Sequence, residues 1–315
     1  MKEDIGVCPN GGRRRYAVVG VGGVGGYFGG RLAQAGFDVR FLLHSDYEWV
    51  RDRGLRVRSY MGDFALPRVQ AYAKAEDVGV VDVVLVCLKT TREELVRELV
   101  RPMLGEGTVV VLIQNGIGVE GDVAKMLPGV GLVGGMAFIC ATKEGPGEVW
   151  HQFFGSINLA GYNVGDDVVR GISEDFGVAG VPTHVMSYAD ARWRKALWNV
   201  PFNGLSVIMG MQTDGLTRGA AGKLSRAVMG EVKEAAQALG VGITDKDCDD
   251  MMDMTHGMPA YSPSMRVDYD RGRKMELEYL YRRVVEAARG VGVRMWRVET
   301  MLEMLEEIEG ERGHC

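Results

Sequence analysis

The sequence predicts an α/β fold in which a doubly wound parallel sheet is followed by an all-helical C-terminal domain. Three observations carry that prediction. Short β-branched runs alternate with helical stretches from Tyr16 to about Gly180, a glycine-rich turn joins the first run to the first helix, and strand signals stop after about Ser187. Alternation of this kind favours parallel pairing, because each crossover helix returns the chain along a face of the sheet. A length of 315 residues also exceeds what one compact core usually serves. The expected division is an N-terminal tail over 1–14, a sheet domain over 15–187 and a helical domain over 188–315.

The elements follow in order. YAVVG at 16–20 reads as the first strand, with a helix at about 23–35; VRFLL at 39–43 is the second. VDVVLVCL at 81–88 and TVVVLIQN at 108–115 are the next two strands, followed by helices at about 92–104 and 119–126. These runs are apolar almost throughout, as strands covered on both faces require. The charge-free stretch 127–142 is broken by Pro128 and four glycines and reads as buried turns and strands. From Asp190 onward the pattern is helical, with breaks at Gly210, Gly240, 257–263 and 290–292 and no internal repeat.

Composition narrows the function. Lys and Arg number 37 against 42 Asp and Glu, a net charge of −5, which argues against a nucleic-acid binder and for a small partner. No run approaches the roughly 20 apolar residues that span a bilayer, and residues 1–15 lack the apolar segment of a signal peptide, so no membrane association is expected. Cys8, Cys87, Cys140, Cys248 and Cys315 are odd in number and form no C-x-x-C pair, which fits a reducing, cytoplasmic compartment. The terminal Gly313, His314 and Cys315 contain no prenylation box. Asp245, Asp247 and Asp249 imitate the start of a calcium loop, but Asp250 stands where glycine is needed and His256 where glutamate is needed. They are expected to be a solvated helix start, and no metal site is expected.

Gly20, Gly22 and Gly25 spell G-x-G-x-x-G between the first strand and the first helix, with Gly23 and Val24 inside the pattern. In this context the first glycine allows the tight turn, the second lets a pyrophosphate approach the backbone, and the third lets the helix lie close to the sheet. A Rossmann-type dinucleotide-binding domain follows; the bland alternative is glycines that only pack. The second strand ends in Leu43, His44, Ser45 and Asp46. His44 and Ser45 can donate to a 2′-phosphate, whereas Asp46 lies two residues late for a ribose acid and could equally cap the next helix. NADP is therefore favoured over NAD. Lys89 and Asn115 fall at carboxyl ends of parallel strands, where open α/β sheets bind ligands. They could equally be a solvated lysine and a turn residue before Gly116.

In RWRKALWNVPFNG, Lys195, Asn199 and Asn203 recur at i, i+4 and i+8 and so share one helix face. Pro201 removes a backbone donor and frees the carbonyl of Leu197, so a kink is expected. The stripe either forms a polar wall for a carboxylate or carbonyl, or faces solvent. Ser264, after Pro263, reads as a helix cap and Glu276 as a surface charge.

GVGGVGGYFGG, CLKT, QNGIG, WRKALWNVPFN, and SPSM with DRGRKMELEY occur in this order at characteristic separations. Together they resemble the ketopantoate reductase (2-dehydropantoate 2-reductase) family over nearly the whole chain from Tyr16 onward. The resemblance implies NADPH-dependent reduction of 2-dehydropantoate to pantoate, a step of pantothenate and coenzyme A biosynthesis, by hydride transfer to C2 of a 2-oxo acid. It implies that the helical domain is the substrate and catalytic domain and closes over the substrate. It places the catalytic lysine on Lys195 and the substrate-binding glutamate of the catalytic set on Glu276. Asn199, Asn203 and Ser264 become substrate ligands, and Lys89 and Asn115 lie near the nicotinamide ribose, with Asn115 also at the substrate. The cofactor loop falls on Gly20, Gly22, Gly23, Val24 and Gly25, with His44 and Ser45 at the 2′-phosphate. The family usually has arginine where this chain has His44, which weakens the expected NADP selectivity, and the tail before Arg13 has no counterpart. Two alternatives stay open: a sibling reductase for another 2-oxo acid, and a non-catalytic NADP-binding regulator. The implied partner is a small 2-oxo acid, with no nucleic acid and no membrane; the oligomeric state is left open, a homodimer included.

Overall fold

The computed structural model of the protein describes residues 12–312. Cys8, Cys315, the 313–315 terminus and all but the last residues of the 1–14 tail lie outside the described residues. The chain forms two compact units. One comprises the residues up to Gln114 with Glu120–Ala191; the other comprises Asn115–Val119 with the chain from Arg192 onward.

The first unit is built on one sheet. Its described strands are β1 (Arg15–Val19), β2 (Asp38–Leu42), β3 (Leu55–Ser59), β4 (Phe64–Leu66), β5 (Gln70–Tyr72), β6 (Val83–Val86), β7 (Val109–Leu112), β8 (Gly131–Gly145), β9 (Glu148–Gly161) and β10 (Thr183–Val185). The spatial order is β4-β3-β9-β8-β7-β6-β1-β2-β5, with β10 beside β9. β1 pairs in parallel with β2 on one side and with β6 on the other, so the winding reverses at β1. That reversal is the switch point at which open α/β sheets bind ligands. The helices of this part of the chain are α1 (Gly23–Gln34), α2 (Tyr47–Arg53), α3 (Ala75–Val78), α4 (Glu94–Val100), α5 (Val119–Met126) and α6 (Asp166–Val178). Val18, Leu85, Val111 and Val133 are fully buried in its core, as the continuous apolar runs require.

The doubly wound parallel sheet is present, and the structure adds what the sequence pattern concealed. β8 and β9 form a long antiparallel hairpin with three register shifts, and β3 pairs antiparallel with β4. The hairpin was not legible because glycines and irregularities interrupt its alternation, so no clean period of two survives.

The second unit is helical: α7 (Tyr188–Ile208), α8 (Gly219–Ala238), α9 (Asp245–Gly257), α10 (Ser264–Asp270), a π-helical turn at Glu278–Arg282, α11 (Arg283–Gly290) and α12 (Trp296–Arg312). Its core packs Val200, Phe202, Val228, Val232, Tyr281, Val284 and Leu305. α7 runs on through Pro201. The Asp245–Asp249 cluster opens α9, where Thr244 and Asp247 form a reciprocal capping box and Asp245 pairs with Arg226 and Lys233. No described helix is long and apolar enough to cross a membrane.

Candidate functional site

β1 ends at Val19, and Gly20 follows at φ +94°, where a Cβ would fall 2.7 Å from the Leu88 nitrogen. A Cβ on Gly25 would fall 2.3 Å from the Gly20 carbonyl oxygen, whereas one on Gly22 would meet nothing within 4 Å. Packing therefore accounts for Gly20 and Gly25 but leaves Gly22 facing open space. The helix beyond it has no acid in its first turn and no side-chain cap. Gly23, Val24 and Gly25 precede the first intrahelical bond, which runs from Gly26 N–H to the Gly22 carbonyl over 2.8 Å. Their N–H groups and the helix dipole favour an anion at this point. The loop fits the pyrophosphate of a dinucleotide: the backbone is open where a phosphate would approach and tight where helix and sheet meet.

His44 and Ser45 are exposed at the end of β2. Asp46 is only 5% exposed, and although it precedes α2 it makes no side-chain cap. The cap expectation is therefore corrected. Its carboxylate instead accepts from Lys143 Nζ at 2.6 Å, from Ser45 Oγ at 3.0 Å and from the Gly147 N–H at 3.1 Å. Burial alone would raise its pKa, but the bonds from Lys143, Gly147 and Ser45 outweigh burial and hold the carboxyl below the ordinary value. Lys143 was missed from the sequence because it comes from the distant β8–β9 hairpin. Lys89 is half-buried just beyond β6, immediately before the 3-10 turn Thr90–Arg92.

In the second unit, the Lys195, Asn199 and Asn203 stripe is buried, at 8%, 2% and 1% exposure. The solvent-facing reading is thereby overturned. Asn199 Nδ2 donates to Asn115 Oδ1 at 3.2 Å, and Asn203 Nδ2 donates to the Asn199 carbonyl at 3.1 Å. Asn203 Oδ1 in turn accepts from the Met265 N–H at 3.1 Å and from Ser264 Oγ at 3.4 Å. The cover comes from the 115–119 segment, which is fastened by the Ile117 N–H to the Tyr279 carbonyl at 2.9 Å, and from the start of α10.

Ser264 is the first residue of α10, with Pro263 in the cap position and no side-chain cap, so its predicted capping role gives way to the bond with Asn203. Glu276 is 4% exposed between the core residues Met275 and Leu277, which corrects its reading as a surface charge. Lys195 Nζ lies 5.3 Å from the centroid of the Trp198 ring. The unit thus gathers a buried ammonium, a buried carboxylate and a run of amides. Such groups are costly to desolvate, and their gathering in one unit makes it the candidate site for a polar ligand.

The chain matches the family described as "Ketopantoate reductase PanE/ApbA" over residues 16–163 and its C-terminal counterpart over 187–309. The chain belongs to the ketopantoate reductase family. Like the family, it is an oxidoreductase. A 2-dehydropantoate 2-reductase of Nostoc sp. is 39% identical over 94% of this chain and 96% of its own length. The crystal structure of the Geobacter metallireducens 2-dehydropantoate 2-reductase superposes with a TM-score of 0.90 at 38% identity, covering 93% of this chain and 99% of that one. The Methylococcus capsulatus enzyme of the same name gives 0.85 at 32% identity, with 95% and 97% coverage. The match therefore runs from the glycine loop through the helical unit.

Proposed function

We propose that the protein reduces 2-dehydropantoate to pantoate with NADPH, as a step of pantothenate and coenzyme A biosynthesis in the cytoplasm. The observation that carries this reading is the hydrogen-bonded chain from half-buried Asn115 through buried Asn199 and Asn203 to half-buried Ser264, with buried Lys195 one turn earlier on α7. The substrate is supported by the Nostoc and Geobacter relatives, each a 2-dehydropantoate 2-reductase by name.

In this reading Gly20, Gly22, Gly23, Val24 and Gly25 receive the pyrophosphate, His44 and Ser45 face the 2′-phosphate, and Lys89 and Asn115 hold the nicotinamide ribose. Bound NADPH supplies a hydride to C2 of the oxo acid. Lys195 stabilises the negative charge that develops on the C2 oxygen and delivers its proton; because that charge exists only in the transition state, a fixed ammonium there lowers the barrier. Glu276 accepts from the substrate C4 hydroxyl. Asn199, Asn203 and Ser264 hold the carboxylate and carbonyl end, and their mutual bonds fix each amide's orientation before substrate arrives.

The test follows NADPH absorbance with a panel of branched 2-oxo acids. The expected result is the highest kcat/KM with 2-dehydropantoate. Faster turnover of another oxo acid would make the protein a sibling reductase, and NADPH binding without turnover of any would make it a regulator.

A further inference from the structure

The Lys143–Asp46 pair lies where the cofactor's adenosine end is recognised in a fold of this kind. The hairpin strand β8 passes directly over the start of α1: a Cβ on Gly23 would fall 2.5 Å from the Ala141 carbonyl oxygen and 3.0 Å from the Thr142 nitrogen. The next residue, Lys143, reaches the end of β2 and contacts Asp46 at 2.6 Å. It therefore stands between the two elements, the glycine loop and the second strand end, that the adenosine ribose bridges in a dinucleotide-binding sheet.

An ionised acid at this strand end normally accepts the 2′-hydroxyl of NAD and would repel a 2′-phosphate. Asp46 is not available in that way. One carboxylate oxygen is taken by Lys143 and Ser45 and the other by the Gly147 N–H. Lys143 is differently placed, with 34% of its side chain exposed and Asp46 as its one ion-pair partner among the described residues. An ammonium has three donors, so two remain for another acceptor.

We propose that Lys143 is a specificity-determining residue for the 2′-phosphate of NADPH, with Asp46 as the positioning residue that holds it. This inference rests on the proposed use of NADPH. It supplies the permanent cation that His44, in the place of the family's usual arginine, does not.

The test measures Kd by calorimetry on the full chain for NADPH, NADH, 2′,5′-ADP and 5′-AMP. The proteins are wild type, Lys143→Gln, Lys143→Arg, Asp46→Asn, and Lys143→Gln combined with Asp46→Asn. Wild type should prefer NADPH and 2′,5′-ADP over their partners lacking the 2′-phosphate. Lys143→Gln should weaken both phosphorylated ligands about 10- to 100-fold, the worth of a charge-assisted bond, while NADH stays within about threefold. Lys143→Arg should keep the preference. The double variant buries no unpaired carboxylate, so it should fold, bind NADH and remain weak for NADPH. An unchanged NADPH-to-NADH ratio in Lys143→Gln overturns the proposal. So does recovery of the wild-type ratio in the double variant, which would reduce Lys143 to a neutraliser of Asp46. Wild type binding NADH as tightly as NADPH would instead overturn the cofactor reading itself.

Discussion

The side-chain amide of Asn199 donates to Asn115 Oδ1 across 3.2 Å, fastening the turn after β7 to the middle of α7. Asn115 reads, from its position, as a strand-end residue at the cofactor, and Asn199 as a helix-face residue at the substrate. Their bond makes them one element, and the hydrogen-bonded chain continues from it to Asn203 and Ser264.

Residues joined in this way should not act additively. Asn115→Ala and Asn199→Ala are each expected to lower kcat/KM, and the double variant should lose less than the two losses combined, by about 1 kcal/mol of coupling. A double-mutant cycle on kcat/KM reads that value directly. Strict additivity would show that the 3.2 Å contact plays no part in arranging the site.

Lys195→Ala is expected to lower kcat by about 10² to 10⁴, the usual contribution of a positioned general acid, while leaving NADPH affinity nearly unchanged. The affinity should hold because Lys195 belongs to the helical unit, whereas the glycine loop belongs to the sheet unit. Steady-state kinetics paired with a binding titration separates the two. More than half of wild-type kcat in the variant would remove Lys195 from the reaction.

Glu276 and Ser264 are expected to divide the substrate between them. Wild type should discriminate strongly against 2-oxoisovalerate, which lacks the C4 hydroxyl and leaves the buried Glu276 carboxylate without that donor. A site built to hydrogen-bond a substrate hydroxyl rejects the analogue lacking it by more than the roughly 1 to 3 kcal/mol of a missing methylene. Glu276→Ala should erase most of the discrimination, and Ser264→Ala should weaken both substrates together. The comparison is kcat/KM for two substrates across three proteins, and equal discrimination in wild type and Glu276→Ala would detach Glu276 from the hydroxyl.

The glycine loop separates folding from binding. Gly25→Ala forces a Cβ to 2.3 Å from a backbone oxygen, so the variant should lose about 1 to 3 kcal/mol or more of stability. Gly22→Ala meets nothing within 4 Å and has φ −95°, so its stability should stay within about 0.5 kcal/mol of wild type. Its NADPH affinity should nevertheless fall, because the new methyl would stand where the pyrophosphate is proposed to approach. Thermal unfolding with and without NADPH checks both halves, and a Gly22→Ala protein with unaltered ligand-induced stabilisation would contradict the loop's role.

At the start of α9, burial works to raise the pKa of Asp247, but hydrogen bonds from Thr244 and Arg194 outweigh it and bring the carboxyl down to about 2. A folded pKa below the unfolded one adds stability that is complete above the ordinary carboxylate range and is lost as pH falls from about 4 to about 2. Allowing for partial solvent screening, Asp247→Asn should cost about 1 to 2 kcal/mol at neutral pH. The gap to wild type should close in denaturant titrations repeated down to pH near 2. A gap independent of pH would mean that the capping geometry, not the charge, provides the stabilisation.

Local pattern was enough for the fold class, the glycine loop and the i, i+4, i+8 stripe of Lys195, Asn199 and Asn203, because helix period, strand period and turn chemistry act over a few residues. The resemblance of several spaced motifs carried the family. Only the tertiary structure decided that the stripe is buried, that Glu276 lies in the core and that Ser264 bonds Asn203 in place of capping α10. It alone brought Lys143 to Asp46 and Asn115 to Asn199. Burial and ion pairing depend on which distant segment comes to cover a face, and residues far apart in the chain carry no local mark of the neighbour that folding will bring them.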